Sequence, residues 1–208
     1  MMLAAALTGT PPASTSFDPL TSAIEHYRTI DSYRVTIRSI HDGEEQHIRY
    51  SYKKPGFVRM EFIRPHDGAL LIYNPDTQHV RVWPFGAGHF PDVSLSPTNP
   101  LIQSLSGIRV DHSDVGVLFE NLRILREGGN TEVLGEQNMD GRTVLHLVVT
   151  GAEGIAVARV HRSELWLDTT SKFPVKIISR DLRDAVIESV KMEELEINIT
   201  LPETQFNP

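Results

Sequence analysis

Cysteine is absent from the 208 residues. Within them this excludes disulfides, thiolate metal sites, cysteine catalysis and a lipid-modified N-terminal cysteine. A long apolar run is missing too. The stretch "MMLAAALTGTPPASTS" has only Leu3 to Leu7 as an apolar segment, well short of the ~20 residues that span a bilayer. It also lacks the basic residues of an intact secretory signal. Residues 1–17 therefore read first as a signal truncated by a misplaced start codon and second as a disordered tail. Residues 18–208 show no composition shift or linker and read as one domain.

Positive charge is not in excess. The formal net charge is −7, whereas a nucleic-acid surface needs clustered Lys and Arg to neutralise phosphates. No nucleic-acid partner is expected. Catalytic motifs are missing as well: there is no Gly-x-Ser-x-Gly, phosphate-binding glycine loop or His-Glu-x-x-His. Nine histidines are scattered singly. The densest polar group, Asp111-His112-Ser113-Asp114, reads as a loop ending in a helix cap rather than a metal or acid–base cluster. Catalytic residues, a metal and a cofactor are not expected, and neither is an enzyme.

What is present is alternation. Hydrophobic residues make up 40% of the chain and charged ones 23%, as in a globular domain with a packed core. Asp18-Pro19 is a capped helix start; Leu20, Ala23, Ile24, Tyr27 and Ile30 follow at helical spacing, predicting an end near Asp31. Strands are predicted near 35–40, 45–53, 57–64, 69–73 and 79–83, separated by turns such as His41-Asp42-Gly43 and Pro55-Gly56. Ala69–Tyr73 is apolar on both faces, which predicts cover on both sides. The stretch "PFGAGHFPDVSLSPTNP", residues 84–100, breaks the pattern with four prolines and two glycines. A short helix from Asn99-Pro100 to Ser104 follows, then a clearer one from Ser113 or Asp114, with Val115, Leu118, Phe119, Leu122 and Leu125 as its apolar stripe and Gly128-Gly129 as its end. Six further strands are predicted at roughly 131–137, 142–150, 159–168, 174–182, 185–192 and 194–201, the last placing Leu195, Ile197, Ile199 and Leu201 on one face.

Residues 52–83, "YKKPGFVRMEFIRPHDGALLIYNPDTQHVRVW", raise the functional question. Val58, Met60 and Phe62 share one strand face, opposite Arg59 and Glu61. These apolar groups pack against either a core or something the protein carries. The pattern Lys54-Pro55, the apolar strand Phe57–Phe62 and Tyr73-Asn74-Pro75 resembles the outer-membrane lipoprotein carrier (LolA/LolB-like) superfamily, and the order of elements agrees from about 18 to 206. The ending "INITLPETQF" resembles that family's last strand and exit. The chain departs from the carriers at Lys54, usually Arg, at Met60, usually Trp, and in the compressed Pro65–Leu70 segment.

The resemblance implies a mainly β fold: an unclosed antiparallel β-barrel of about eleven strands with a helical lid. It implies periplasmic localisation and an apolar cavity for lipoprotein acyl chains or other lipid. The implied partners are an inner-membrane release complex and an outer-membrane acceptor, with the protein a monomer. The ligand-binding set it implies is Tyr50, Tyr52, Lys54, Val58, Met60, Phe62, Leu71, Val115, Leu118, Phe119 and Leu122. For any one of these, core and cavity remain equal readings. For the set a cavity is favoured, because two amphipathic helices present stripes only about 100° wide to a large concave face. A sensory domain reporting lipoprotein or lipid is the alternative from another class.

Overall fold

The computed structural model describes residues 18–207; the expected signal or tail, residues 1–17, lies outside them. The first helix forms where its cap predicts. Asp18 Oδ1 accepts from the amides of Leu20 and Thr21 at 3.1 and 3.2 Å, and Pro19 occupies the first turn of α1 (Pro19–Tyr27). The helix ends at Tyr27 rather than near Asp31, and Ile30 is buried beyond its end.

Eleven strands follow: β1 (Ser32–His41), β2 (Glu44–Lys53), β3 (Phe57–Arg64), β4 (Leu70–Asn74), β5 (His79–Trp83), β6 (Val93–Leu95), then β7 (Asn130–Met139), β8 (Arg142–Thr150), β9 (Arg162–Asp168), β10 (Pro174–Arg180) and β11 (Val186–Ile197). The second helix, α2 (Val115–Leu125), lies between the two groups, preceded by 3-10 turns at Pro100–Ile102 and Val110–His112. The strands form one antiparallel sheet in the order β6-β5-β4-β3-β2-β1-β11-β10-β9-β8-β7. Its edges, β6 and β7, do not pair with each other, so the barrel is unclosed. Asp42-Gly43 and Asp140-Gly141 both take positive φ, the left-handed pair that a tight hairpin turn demands.

The predicted count of eleven strands is met with different membership. The short β6 falls inside the proline-rich stretch, and the two predicted strands at 185–192 and 194–201 are one strand plus a departing tail. The cause is a bulge. Arg34 pairs with Glu196 but Thr36 with Glu193, and Glu194 takes φ 53°. One extra residue reverses side-chain parity. Val190 and Met192 before the bulge and Leu195 and Ile197 after it therefore all face inward. At Asn198 (φ 54°) the chain leaves the sheet, where the Asn198 amide oxygen accepts from the Asp31 amide at 2.8 Å. Ile199 and Leu201 then cover the outer face with Phe206, over Leu70, Ile72 and Trp83. This is the second cover that the apolar β4 requires.

Both helices lie against the concave face of the sheet, held by an aromatic plug. Tyr33 stacks on Tyr50 and Tyr52 at centroid separations of 5.9 and 5.2 Å, and meets Phe173 edge-on at 5.1 Å. The Tyr33 hydroxyl accepts from the Val115 amide at 3.2 Å, and the Tyr27 hydroxyl donates to Asp114 Oδ1 at 3.1 Å. Asp114 caps α2, accepting from the Gly116 amide at 2.7 Å. Burial and then the Asp114 charge push the Tyr52 phenol up to about 12, so it stays neutral at ordinary pH. The polar group at 111–114 therefore starts the helix: Asp111 pairs with Arg109, and Ser113 Oγ donates to the Val110 carbonyl at 2.7 Å. Arg126, at the end of α2, donates to Asp18 Oδ2 at 2.6 Å and ties the helices together.

Gly129 follows this junction. A Cβ there would lie 2.2 Å from the Thr150 carbonyl oxygen and 3.0 Å from Gly151 Cα. Both atoms belong to backbone at the end of β8, which is held by pairing with β7 and β9. Gly129→Ala is expected to cost about 2 kcal/mol or more, because overpacking against fixed backbone forces the chain apart. A urea midpoint equal to that of the parent protein would show that the chain can yield here.

Candidate functional site

The two helices fill only part of the concave face. Under α1 and the buried stripe of α2, the residues Leu20, Ala23, Tyr27, Phe119, Leu122 and Phe173 pack solidly against the sheet. Beyond them the face is hollow. A cavity of about 690 Å³ lies between the sheet and the segment crossing from β6 to α2. Its floor includes Ile37, Ile48, Met60, Leu71 and, from the other half of the sheet, Ile177, Val190 and Met192. Its cover includes Ile102, Leu105, Val110, Val115 and Leu118. This volume is in the range of small-ligand sites, which are mostly apolar with a few polar groups.

Four polar groups come from neighbouring strands, Ser39 from β1, Gln46 from β2, Ser179 from β10 and Glu188 from β11, and others, among them His66, Asp67, Gln103 and Asp114, come from turns and the cover. At the rim, Phe85, Leu101 and Ile108 both line the cavity and are exposed, with Phe90 almost wholly exposed nearby in sequence. Scattered exposed apolar residues need no explanation, but several at one opening do. A second groove of about 850 Å³ involves Arg34, Arg49, Arg59, Glu61 and Glu196. Arg59 pairs there with Glu61 at 2.7 Å and Arg34 with Glu196 at 3.3 Å, and a lining so rich in charge suits an apolar ligand poorly.

Six of the eleven residues in the sequence-based set line the cavity: Tyr50, Met60, Phe62, Leu71, Val115 and Leu118. Tyr52, Val58, Phe119 and Leu122 face the same side of the sheet but lie in its filled end. Lys54 is outside, its Nζ donating to the Arg28 carbonyl at 2.8 Å and to Asp31 at 3.1 Å. The sequence reading missed Ile37, Ile48, Ile102, Val190, Met192 and Glu188. One signal was available: Glu188, Val190 and Met192 share a parity, so a carboxylate stands in an inward apolar row.

No family model matches the sequence, and no curated protein matches it significantly. Solved structures do match. An uncharacterized conserved protein from Thermus thermophilus is 14% identical with a TM-score of 0.55, each chain covered over 91%. The lipoprotein LppX of Mycobacterium tuberculosis is 12% identical with a TM-score of 0.55, covering 88% of this chain and 95% of its own. MucB is 19% identical with a TM-score of 0.51, covering 91% of this chain and 61% of its own. At such identities the likeness is one of fold. An unclosed eleven-stranded antiparallel sheet with helices on its concave face is the architecture that the sequence resemblance implies. The fold is LolA-like. Within the LolA-like frame, the cavity is covered by residues 101–105, Ile108 and Val110, with Phe85 at the rim and Val115 and Leu118 from the start of α2. The inner stripe of α2, with Phe119, Leu122 and Leu125 buried, is instead part of the core.

Proposed function

We propose that the protein is a periplasmic carrier that shelters lipoprotein acyl chains or lipids in its cavity for delivery to the outer membrane, without chemical change of the ligand. The observation that carries this reading is the mainly apolar cavity of about 690 Å³ left open beneath the 101–110 segment and the first turn of α2. Unfilled apolar volume is destabilising, so a fold that keeps one gains when a ligand fills it. Burying an acyl chain contributes ~0.8 kcal/mol per methylene. A chain of about twelve carbons then reaches on the order of 10 kcal/mol gross, before ordering costs. An inner-membrane donor and an outer-membrane acceptor are the partners that such a cycle requires, and the exposed apolar rim suits a handover at either.

A regulatory domain reporting lipid occupancy would use the same cavity but deliver its ligand to no acceptor. Titration of delipidated protein with a fluorescent monoacylglycerol tests the shared premise. Saturation near one ligand per chain is expected, followed by transfer into acceptor vesicles if the protein is a carrier. Non-saturable binding would overturn the cavity reading; saturable binding without transfer would favour the regulatory one.

A further inference from the structure

Glu188 is the one Asp, Glu, Lys or Arg that is buried among the described residues, at 8% exposure. It lines the cavity, and among the described residues no Lys, Arg or His lies within ion-pairing distance of it. Its Oε2 accepts from Ser106 Oγ at 3.0 Å, and Ser39 supplies a second hydroxyl. Ser106 Oγ lies 3.0 Å from Ser104 Oγ, and the Arg159 guanidinium is directed at the Ser106 carbonyl rather than at the carboxylate. The His41 ring acts on it through space, but its Nε2 faces Asp42 at 3.4 Å and its Nδ1 lies against the Ile187 carbonyl.

A carboxylate is an expensive way to tie down the 104–108 turn. Glutamine would accept from the same two hydroxyls without the burial of a charge. Burial pushes the Glu188 carboxyl up, and Ser106, His41 and Ser39 offset this only in part. A carboxyl raised on folding lowers stability: the cost is absent below its unfolded value, grows between the unfolded and folded values, and is fully present above the folded one. Buried ionic groups that cost stability are retained at functional sites. The three hydroxyls beside it, on Ser39, Ser106 and Ser179, can each accept a hydrogen bond from a ligand. The corner thus holds a buried carboxyl among hydroxyls that can accept, with the nearby His41 ring already engaged by Asp42 and the Ile187 carbonyl, at the wall of a mainly apolar cavity whose other acidic lining residues are Asp67 and Asp114.

We infer that Glu188 is the headgroup receptor of the cavity, selecting single-chain amphiphiles whose polar end is a positively charged hydrogen-bond donor, of the alkylamine class, over those ending in an anion. This rests on the cavity reading above and adds the chemistry of the ligand's polar end. An alkylammonium supplies the missing counter-charge and up to three donors. A carboxylate or phosphate placed there meets like charge in a low-dielectric site, which excludes it.

The test is displacement of the fluorescent monoacylglycerol by dodecylamine, dodecanol and dodecanoate at neutral pH, with wild type, Glu188→Gln and, as a surface control of equal charge change, Glu25→Gln. Wild type and Glu25→Gln should prefer the amine to the carboxylate by about tenfold or more, and Glu188→Gln should narrow this to about threefold or less, with dodecanol unaltered. Equal or tighter binding of dodecanoate by wild type, or the same preference in Glu188→Gln, overturns the assignment of Glu188 while dodecanol binding leaves the cavity reading intact. If neither the probe nor any competitor binds, the cavity reading fails and the headgroup assignment falls with it.

Discussion

Val58→Glu should destabilise the fold severely. Val58 is 2% exposed and lies on β3 between Tyr52 of β2 and Tyr73 of β4, in the filled end of the concave face. Its neighbours there are packed side chains, which the longer glutamate must displace. The combined cost of burying a charge and overpacking is on the order of 3–5 kcal/mol. That is a large share of the roughly 5–15 kcal/mol typical of a domain. Urea titration followed by near-ultraviolet circular dichroism measures it. A folded variant with the wild-type midpoint would mean that this end of the sheet is loosely packed.

Met60→Glu, two residues along on the same face, should do the opposite: fold, and fail to bind. Met60 pairs with Tyr50 and Leu71, and all three line the cavity. Water entering the cavity can solvate a carboxylate there, or the group can take up a proton. The folding cost is therefore smaller than at Val58. An acyl chain, however, must then lie against a polar wall, and affinity for the monoacylglycerol probe should fall about a hundredfold, equivalent to about 2.7 kcal/mol. Retained affinity would place the ligand elsewhere on the molecule; an unfolded variant would mean that the packed core extends to Met60. The two substitutions share a strand, a face and a chemistry, and differ only in what lies opposite.

That difference explains how far the sequence could be read. Which side of β3 faces inward was legible, because period-2 alternation separates Val58, Met60 and Phe62 from Arg59 and Glu61. Caps were legible too, since Asp18 and Asp114 have few other roles immediately before an apolar helical stripe. Depth along the strand was not legible: Val58 and Met60 look alike, and their fates depend on where α1 and α2 stop covering the sheet. The bulge at Glu193–Glu194 was hidden because two charged residues between alternating runs look like a turn. Ile199 and Leu201 continue the parity of Leu195 and Ile197, yet the positive φ at Asn198 sends them to the outer face. The proline-rich segment carries no period at all, so nothing local marks Ile102 or Val110 as cavity cover.

The pairing of β1 with β11 has a temporal meaning. These strands come from opposite ends of the sheet-forming chain, with Tyr33 opposite Ile197. Each half of the sheet can assemble from neighbouring hairpins as it is synthesised. The join between them cannot, because it waits for a contact of very large sequence separation, the kind that slows folding most. The floor of the cavity straddles that join, with Ile37 and Ile48 on one side and Ile177, Val190 and Met192 on the other. A chain still lacking β11 has two half-walls and no container. On the proposed carrier function, ligand capture begins only after β11 has docked, and unfinished chains have no completed cavity in which to trap lipid.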